Sequence, residues 1–296
     1  MKQKYKNIAF KPATLRMIET CNDIIESYQR MGFTLTVRQL YYQLVAKDLI
    51  PNTVQSYKTI TGVVNDGRMA GLLDWDAIED RTRDFVRRQR WTDGAQILEA
   101  SARSFHIDMW DNQYTRPIVI VEKEALVGVL QQVCYEFDVP LLAARGYPSG
   151  TVLREFVEKD VADTRGEQEI VILHLGDHDP SGIDMSRDLE ERIKLFAEEY
   201  DTPIELDRLA LNFEQIAKLK PPPNPAKATD SRFASYRKKY GTKSWELDAI
   251  PPPQLVKIAR EAIERYIDDD LWQVAQARCE DVQDRIRAAA KSFINN

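Results

Sequence analysis

The sequence predicts an α/β fold: a small parallel sheet, preceded by a helical N-terminal unit and followed by a helical tail. Two continuous apolar runs, Ile118-Val119-Ile120-Val121 and Ile170-Val171-Ile172-Leu173, have the composition of strands buried on both faces. Strand and helix patterns alternate from 117 to about 209, with strands expected at 117–121, 139–143, 169–175 and 203–206, as in a small doubly wound sheet. A length of 296 residues allows one large or two ordinary domains with ample core.

The N-terminal part reads as three helices. Residues 12–31 carry Leu15, Ile18, Cys21, Ile24 and Ile25 at helical spacing, and Gly32 ends the pattern. Thr34-Leu35-Thr36 is a short strand or an N-cap region ahead of a helix from Val37 to Lys47. A turn at Leu49–Asn52 leads to a helix from about Thr53 to Met69, closed by Gly71, after which Leu72-Leu73-Asp74-Trp75 begins something extended. Three helices followed by a short ribbon predict a winged-helix unit whose third helix would face DNA through Lys58, Asn65 and Arg68. A solvated helix face explains those three residues almost as well.

Residues 81–110 read as a charged helical connector. The prolines of PPPNP (221–225) and PPP (251–253) bracket a polar, partly basic segment with Arg232, Arg237, Lys238, Lys239 and Lys243, which is either a loop lying over DNA or a solvated connection. From Gln254 the chain is helical, interrupted at Asp268-Asp269-Asp270. The expected divisions are an N-terminal helix (1–33), a winged-helix domain (34–90), a connector (91–115), a metal-binding α/β domain (116–210), and a Pro-rich loop with a helical C-terminal region (211–296).

Composition narrows the chemistry. No apolar run approaches the roughly 18 residues of a membrane span, so no membrane partner is expected. The N-terminal MKQKYKNIAF lacks the apolar stretch of a secretory signal, and the widely spaced Cys21, Cys134 and Cys279 suit a reducing cytosol, so cytoplasmic placement is expected. Net charge is −6, yet residues 1–90 hold 15 Lys or Arg against 10 Asp or Glu, an excess of +5 on an acidic body. That distribution suits a DNA-reading unit joined to a metal-binding one.

The candidate site lies at the strand ends. After the run at 170–173 come Gly176, Asp177, His178, Asp179, Pro180, Ser181 and Gly182. Ligands in α/β proteins bind just past the carboxyl ends of strands. Two carboxylates two residues apart repel unless protonated or bridged by a cation, and hard oxygen donors suit Mg²⁺. Glu122 ends the other run, and adjacent strands would bring it to Asp177 and Asp179. Glu124 is the competing choice, but a helix start is where acidic residues commonly sit for the dipole. Two plainer readings stand beside this one. An acidic turn needs no metal, and an EF-hand loop fits Asp177, Asp179, Ser181 and Gly182 but has Asp188 where Glu belongs, behind a strand instead of a helix. His178 reads as an exposed loop residue.

In the helix 37–47 the apolar stripe is Val37, Leu40, Tyr41, Leu44 and Val45, so Tyr41 is expected to pack. Tyr42 points roughly 130° from the stripe centre and is expected to be exposed, on one face with Arg38. An exposed Tyr–Arg pair is usually plain surface. Beside a metal site in a DNA-binding protein, Tyr42 becomes a candidate nucleophile for a phosphodiester and Arg38 a bidentate phosphate holder.

Taken together, T36-V-R-Q-L-Y-Y42, Gly71, W75-D-A-I-E-D-R81, IVIVEKEA, G146-Y-P148, GDHDPSG and S244-W-E-L-D-A-I250 resemble the A-type topoisomerase VI family and its meiotic double-strand-break relatives, over roughly residues 30–250. A strand-end Glu with a strand-end Asp-x-Asp resembles the Toprim domain of that family. The chain is similar in its short flanks to minimal A-type homologues of mobile elements. The resemblance implies a winged-helix domain followed by a Toprim domain. It implies Mg²⁺ held by Glu122, Asp177 and Asp179, Tyr42 as nucleophile with Arg38, and a 5′-phosphotyrosyl product on double-stranded DNA. It further implies a homodimer in which one protomer's tyrosine acts with its partner's metal. The chain has no P-loop pattern, so an ATPase would be a separate B-type protein. The rival readings are a hydrolytic Toprim nuclease, with water in place of Tyr42, and a non-catalytic DNA-binding protein.

Overall fold

The computed structural model describes residues 1–79, 88, 90–164 and 167–294. Its elements in chain order are α1 (Pro12–Gln29), α2 (Val37–Ala46), α3 (Val54–Met69), α4 (Gly94–Ser104), β1 (Thr115–Val121), α5 (Val127–Glu136), β2 (Leu141–Ala143), α6 (Gly150–Phe156), β3 (Glu169–Leu175), α7 (Pro180–Ala197), β4 (Ile204–Ala210), α8 (Phe213–Leu219), β5 (Asn224–Pro225), α9 (Phe233–Tyr240), β6 (Lys243–Ser244), α10 (Pro252–Glu264) and α11 (Asp269–Ile294).

The sheet is four-stranded and parallel, in the order β2-β1-β3-β4. Side chains alternate across it, because successive residues of a strand face opposite ways. Val119, Val121, Val171, Leu173 and Leu175 pack with α5 and α10. Ile118, Ile120, Ile170 and Ile172 pack with α6 and α7 on the other side. Burial of both faces is why β1 and β3 read as continuous apolar runs. β4 extends to Ala210, four residues past its expected end, and its charged Arg208 belongs to the strand.

α1, α2 and α3 enclose a separate core built on Ile18, Ile25, Leu40, Leu44, Ile60 and Leu73. Thr36 starts α2 with a reciprocal capping box to Gln39, and Thr53 caps α3 through the Ser56 N–H. Gly71 turns the chain at φ +74°, and a Cβ there would lie 2.9 Å from the Lys4 backbone nitrogen. The ribbon expected after α3 is not formed among the described residues. Leu35 and Ile78 make one parallel bridge, Lys4 and Ala70 one antiparallel bridge, and residues 72–77 run through bends and a turn with no strand. The N-terminal segment pairs at the end of α3, where the Tyr5 and Lys6 N–H groups donate to Met69 O at 2.8 and 2.9 Å. Of the connector 81–110, residues 81–87 and 89 lie outside the described residues, as do Asp80 and Arg81 of the 75–81 motif. The described part contains α4, capped by Asp93 and packed on α11. Asp268 does not break the tail at random: its Oδ1 accepts the Asp270 and Leu271 N–H groups, each at 3.1 Å, and so starts α11. No helix among the described residues is long and apolar enough to cross a membrane.

Candidate functional site

The pairing of β1 with β3 sets Val121 opposite Leu175, which places Glu122 beside Gly176 at the carboxyl edge of the sheet. The Glu122 N–H donates to Leu175 O at 2.9 Å, and Glu122 Oε2 accepts the Asp177 N–H at 2.7 Å. Gly176 leaves the room for this contact, since a Cβ there would meet Glu122 Oε2 at 3.1 Å and His174 Cε1 at 3.0 Å. Glu124 turns elsewhere and pairs with Arg145.

Asp177 is buried. Its Oδ1 accepts the Leu247 N–H at 2.8 Å, and its Oδ2 lies 2.9 Å from Lys123 Nζ. Burial pushes the Asp177 carboxyl up to about 7, with Glu122 and Glu246 adding to the shift and Lys123 opposing it. Glu122 is pushed up as well, again chiefly by burial. Asp179 is used differently. It is the N-cap of α7, with Oδ1 accepting the Gly182 N–H at 2.6 Å and the Ser181 hydroxyl at 2.9 Å.

The expectation that three carboxylates converge is met only in part. Glu122 meets Asp177, whereas Asp179 is drawn to its helix, and among the described residues no group of three His, Cys, Asp or Glu has the geometry of a metal shell. The donor chemistry still fits a hard divalent cation. Burial and neighbouring carboxylates push both Glu122 and Asp177 up, and each oxygen in its present hydrogen bond retains acceptor capacity.

Tyr42 departs from its expected exposure: both Tyr41 and Tyr42 are 4% exposed. The helical stripe does place Tyr41 in the core, where its hydroxyl donates to Asn52 Oδ1 at 2.8 Å. The opposite face of α2 is covered too, by the turn at Leu247–Ala249 and its approach, so every residue from Gln39 to Val45 is buried. Tyr42 thus faces the seam between α2 and the sheet domain. Burial pushes its phenol up to about 12, Glu246 adds to this, and Arg38 and Lys123 pull the other way. The Arg38 guanidinium carbon lies 5.8 Å from the Tyr42 ring centroid.

A cavity of about 660 Å³ opens along this seam, lined by Arg38, Tyr42, Lys123, Asp177, Asp179 and Glu246 among others. Four of its charged groups, Arg38, Lys123, Asp177 and Glu246, are already matched. Arg38 pairs with Glu246, and its Nε stands 2.7 Å from Asp248 Oδ2 without pointing at it as a hydrogen bond. Lys123 pairs with Asp177, Glu246 and, at 3.4 Å, Asp248. These contacts raise the pKa of both cations against the opposing effect of burial.

Lys123, Arg208, Glu246 and Asp248 were not among the expected site residues. Arg208 fixes the 176–182 loop by donating to Asp177 O at 2.6 Å, Gly182 O at 2.9 Å and Ser186 Oγ at 2.6 Å. An arginine just before the apolar Leu209-Ala210-Leu211 at the end of β4 is the sequence signal for it. Lys123 adjoins Glu122, and Glu246 and Asp248 lie in the SWELDAI segment. His178 is 1% exposed, not a loop surface residue. Its backbone pairs with Trp245 at 2.9 and 3.0 Å, and its ring is enclosed by Phe213, Tyr236, Tyr240 and Trp245. On α3, Lys58 and Asn65 are exposed one above the other, whereas Arg68 donates to Trp75 O at 3.0 Å and stacks 4.4 Å over the Trp75 ring. Arg68 is therefore held within the N-terminal unit.

No protein-family model, no curated protein and no solved structure matches this chain.

Proposed function

We propose that this chain is a Mg²⁺-dependent DNA-cleaving transesterase similar to the A-type chain of topoisomerase VI. The observation that carries the reading is a cavity at the carboxyl edge of a parallel sheet, where a tyrosine, an arginine, a lysine and two aspartates meet. The resemblance in sequence adds the order of the motifs, with a winged-helix role for α1–α3 and a Toprim role for the sheet domain.

In this reading the Tyr42 oxygen bonds to the scissile phosphorus while the bond from phosphorus to the 3′-oxygen breaks. The phenolic proton is lost to solvent, and the leaving 3′-oxygen takes up a proton. Religation is the reverse. Arg38 exchanges its carboxylate partners for phosphate oxygens, which suits a planar fork. Lys123 and Arg38 favour the phenolate that burial disfavours. When bound by Glu122, Asp177 and Asp179, Mg²⁺ would offset the charge that builds on the phosphate. DNA would run across α3, past Lys58 and Asn65.

The same resemblance implies a homodimer whose sites combine one copy's Tyr42 with the partner copy's carboxylates. The cavity of one chain is already lined by Tyr42 together with Asp177 and Asp179. Mixing Tyr42→Phe with Asp177→Ala protomers separates the cases, since only a shared site regains activity in the mixture. Strand passage would need a separate B-type ATPase.

Supercoiled plasmid incubated with Mg²⁺, stopped with detergent and treated with protease tests the proposal. Cleavage with protein attached to the 5′ ends, abolished in Tyr42→Phe, is expected. Cleavage without any covalent adduct overturns it in favour of a hydrolytic nuclease. One observation favours that second reading: the Tyr42 side chain is 4% exposed, and burial pushes its phenol up to about 12, which makes it a reluctant nucleophile.

A further inference from the structure

Residues 227–243 contain six Lys or Arg against one Asp, a local net of +5 within an otherwise acidic part of the chain. α9 carries the centre of this charge. Arg237, Lys238 and Lys239 are consecutive and exposed, and the helix has no acidic residue of its own.

Several cations on other helices are paired instead. Arg187, Lys194, Lys257 and Arg287 each pair with a carboxylate three or four residues away on the same helix. Among the described residues, Arg237, Lys238, Lys239 and Lys243 have no ion-pair partner. Favourable contact with the helix C-terminus accounts for one or two of them, but a third adjacent cation brings mutual repulsion.

The helix is also rigidly mounted. The Tyr236 hydroxyl, 4% exposed as a residue, stands 2.8 Å from His178 Nδ1, 3.0 Å from His178 O and 2.9 Å from Lys243 O. With one proton to give, it donates to a carbonyl and accepts from the ring N–H. Tyr240 packs edge-on against the same imidazole, with centroids 4.7 Å apart. His178 lies between Asp177 and Asp179. The strut Tyr236–His178 therefore ties α9 to the loop that holds the carboxylates.

We infer that α9 is a phosphate clamp for duplex DNA, which holds the backbone at a fixed offset from Asp177 and Asp179. Three consecutive helical cations fan over about 200° and cannot converge on one base edge, but they follow a curved line of phosphates. A chain of net charge −6 has to concentrate cations where it holds phosphates, and this +5 segment does so beside the cavity. The inference rests on the DNA reading above and names a contact which that reading does not require.

The test is binding of a fluorescently labelled DNA duplex to the full chain, by anisotropy across a potassium chloride series, without divalent metal so that nothing is cut. The Arg237→Ala/Lys238→Ala/Lys239→Ala variant is compared with Lys194→Ala/Lys257→Ala/Arg285→Ala, which removes paired cations elsewhere. Each lost phosphate contact reduces the slope of log K against log salt by about 0.9. The α9 variant is therefore expected to lose a slope of roughly 2–3 and more than about tenfold in affinity at low salt, with the control unchanged. The single change Lys238→Gln, at an exposed site, should lose about one contact and guards against misfolding of the triple variant. Equal slopes and affinities for wild type and both α9 variants overturn the clamp and leave the cleavage proposal standing. A wild type that binds no duplex even at low salt overturns both.

Discussion

Arg38 Nε lies 2.7 Å from Asp248 Oδ2, so the guanidinium proposed to hold a DNA phosphate is paired with a carboxylate that is 2% exposed. Arg38→Ala would leave that buried charge to Lys123 alone, 3.4 Å away. A cost of about 2 kcal/mol is expected, below the 3–5 typical of a fully buried pair because Arg38 is partly exposed and Lys123 remains. Denaturant unfolding measures it. A loss under about 0.5 kcal/mol, the range of a plain surface change, would show the pair to be incidental.

Tyr42→Phe keeps the ring in place and removes the oxygen. Stability should change by about 1 kcal/mol, the worth of its one hydrogen bond to Asn224, while cleavage and covalent adduct are expected to vanish. Tyr41→Phe should lose a similar amount of stability, through its bond to Asn52, and keep cleavage. Adduct from Tyr42→Phe, seen on a denaturing gel, would move the nucleophile elsewhere.

Asp177 makes stability depend on pH with a definite sign. Its folded pKa, about 7, lies above the ordinary 3.8, so between those values the folded state retains a proton that the unfolded chain has lost. Its contribution is complete below about pH 4 and is lost as pH rises through 7. Asp177→Asn should therefore gain on wild type as pH is raised from 4 to 7. Mg²⁺ should raise the melting temperature of wild type near pH 8 and leave Asp177→Asn unchanged, because the bound carboxylates must be ionised. Parallel pH profiles for the two proteins would remove Asp177 as the titrating group.

His174 titrates in the opposite sense. Buried without exposure and bonded to Ser186 at 2.9 Å, it is held down to about 3 by burial, with Arg208 adding to the effect. Its neutral form stabilises the fold above about pH 6.5, and that contribution is lost as pH falls toward 3. His174→Gln should flatten the acid limb of a melting-temperature profile. An unchanged limb would assign acid unfolding to other groups.

Lys58 and Arg68 lie on the same helix but should behave differently. Lys58→Ala should weaken duplex binding and leave the melting temperature alone. Arg68→Ala should lower stability by about 1–2 kcal/mol through loss of its carbonyl bond and its stacking on Trp75. A purely DNA-binding effect for Arg68→Ala would contradict its place against Trp75.

Short-range pattern and strand-end placement were legible along the chain. Apolar runs located β1 and β3, and helical spacing with caps located α1, α2 and α3. The position of Glu122 and Asp177 at the ends of two runs foretold their meeting once the strands were neighbours. The environment of those groups came from the folded molecule alone. Periodicity along α2 sees one covered face, so Tyr42 read as exposed; the second cover comes from residues near 247, far away in the chain. The same segment supplies Glu246 and Asp248 to Arg38 and Lys123, and Trp245 with Tyr236 encloses His178. That Asp179 spends one carboxylate oxygen on capping α7 while still lining the cavity reflects competition between a helix terminus and neighbouring carboxylates. That balance is set by distances in three dimensions, and spacing along the chain does not encode it.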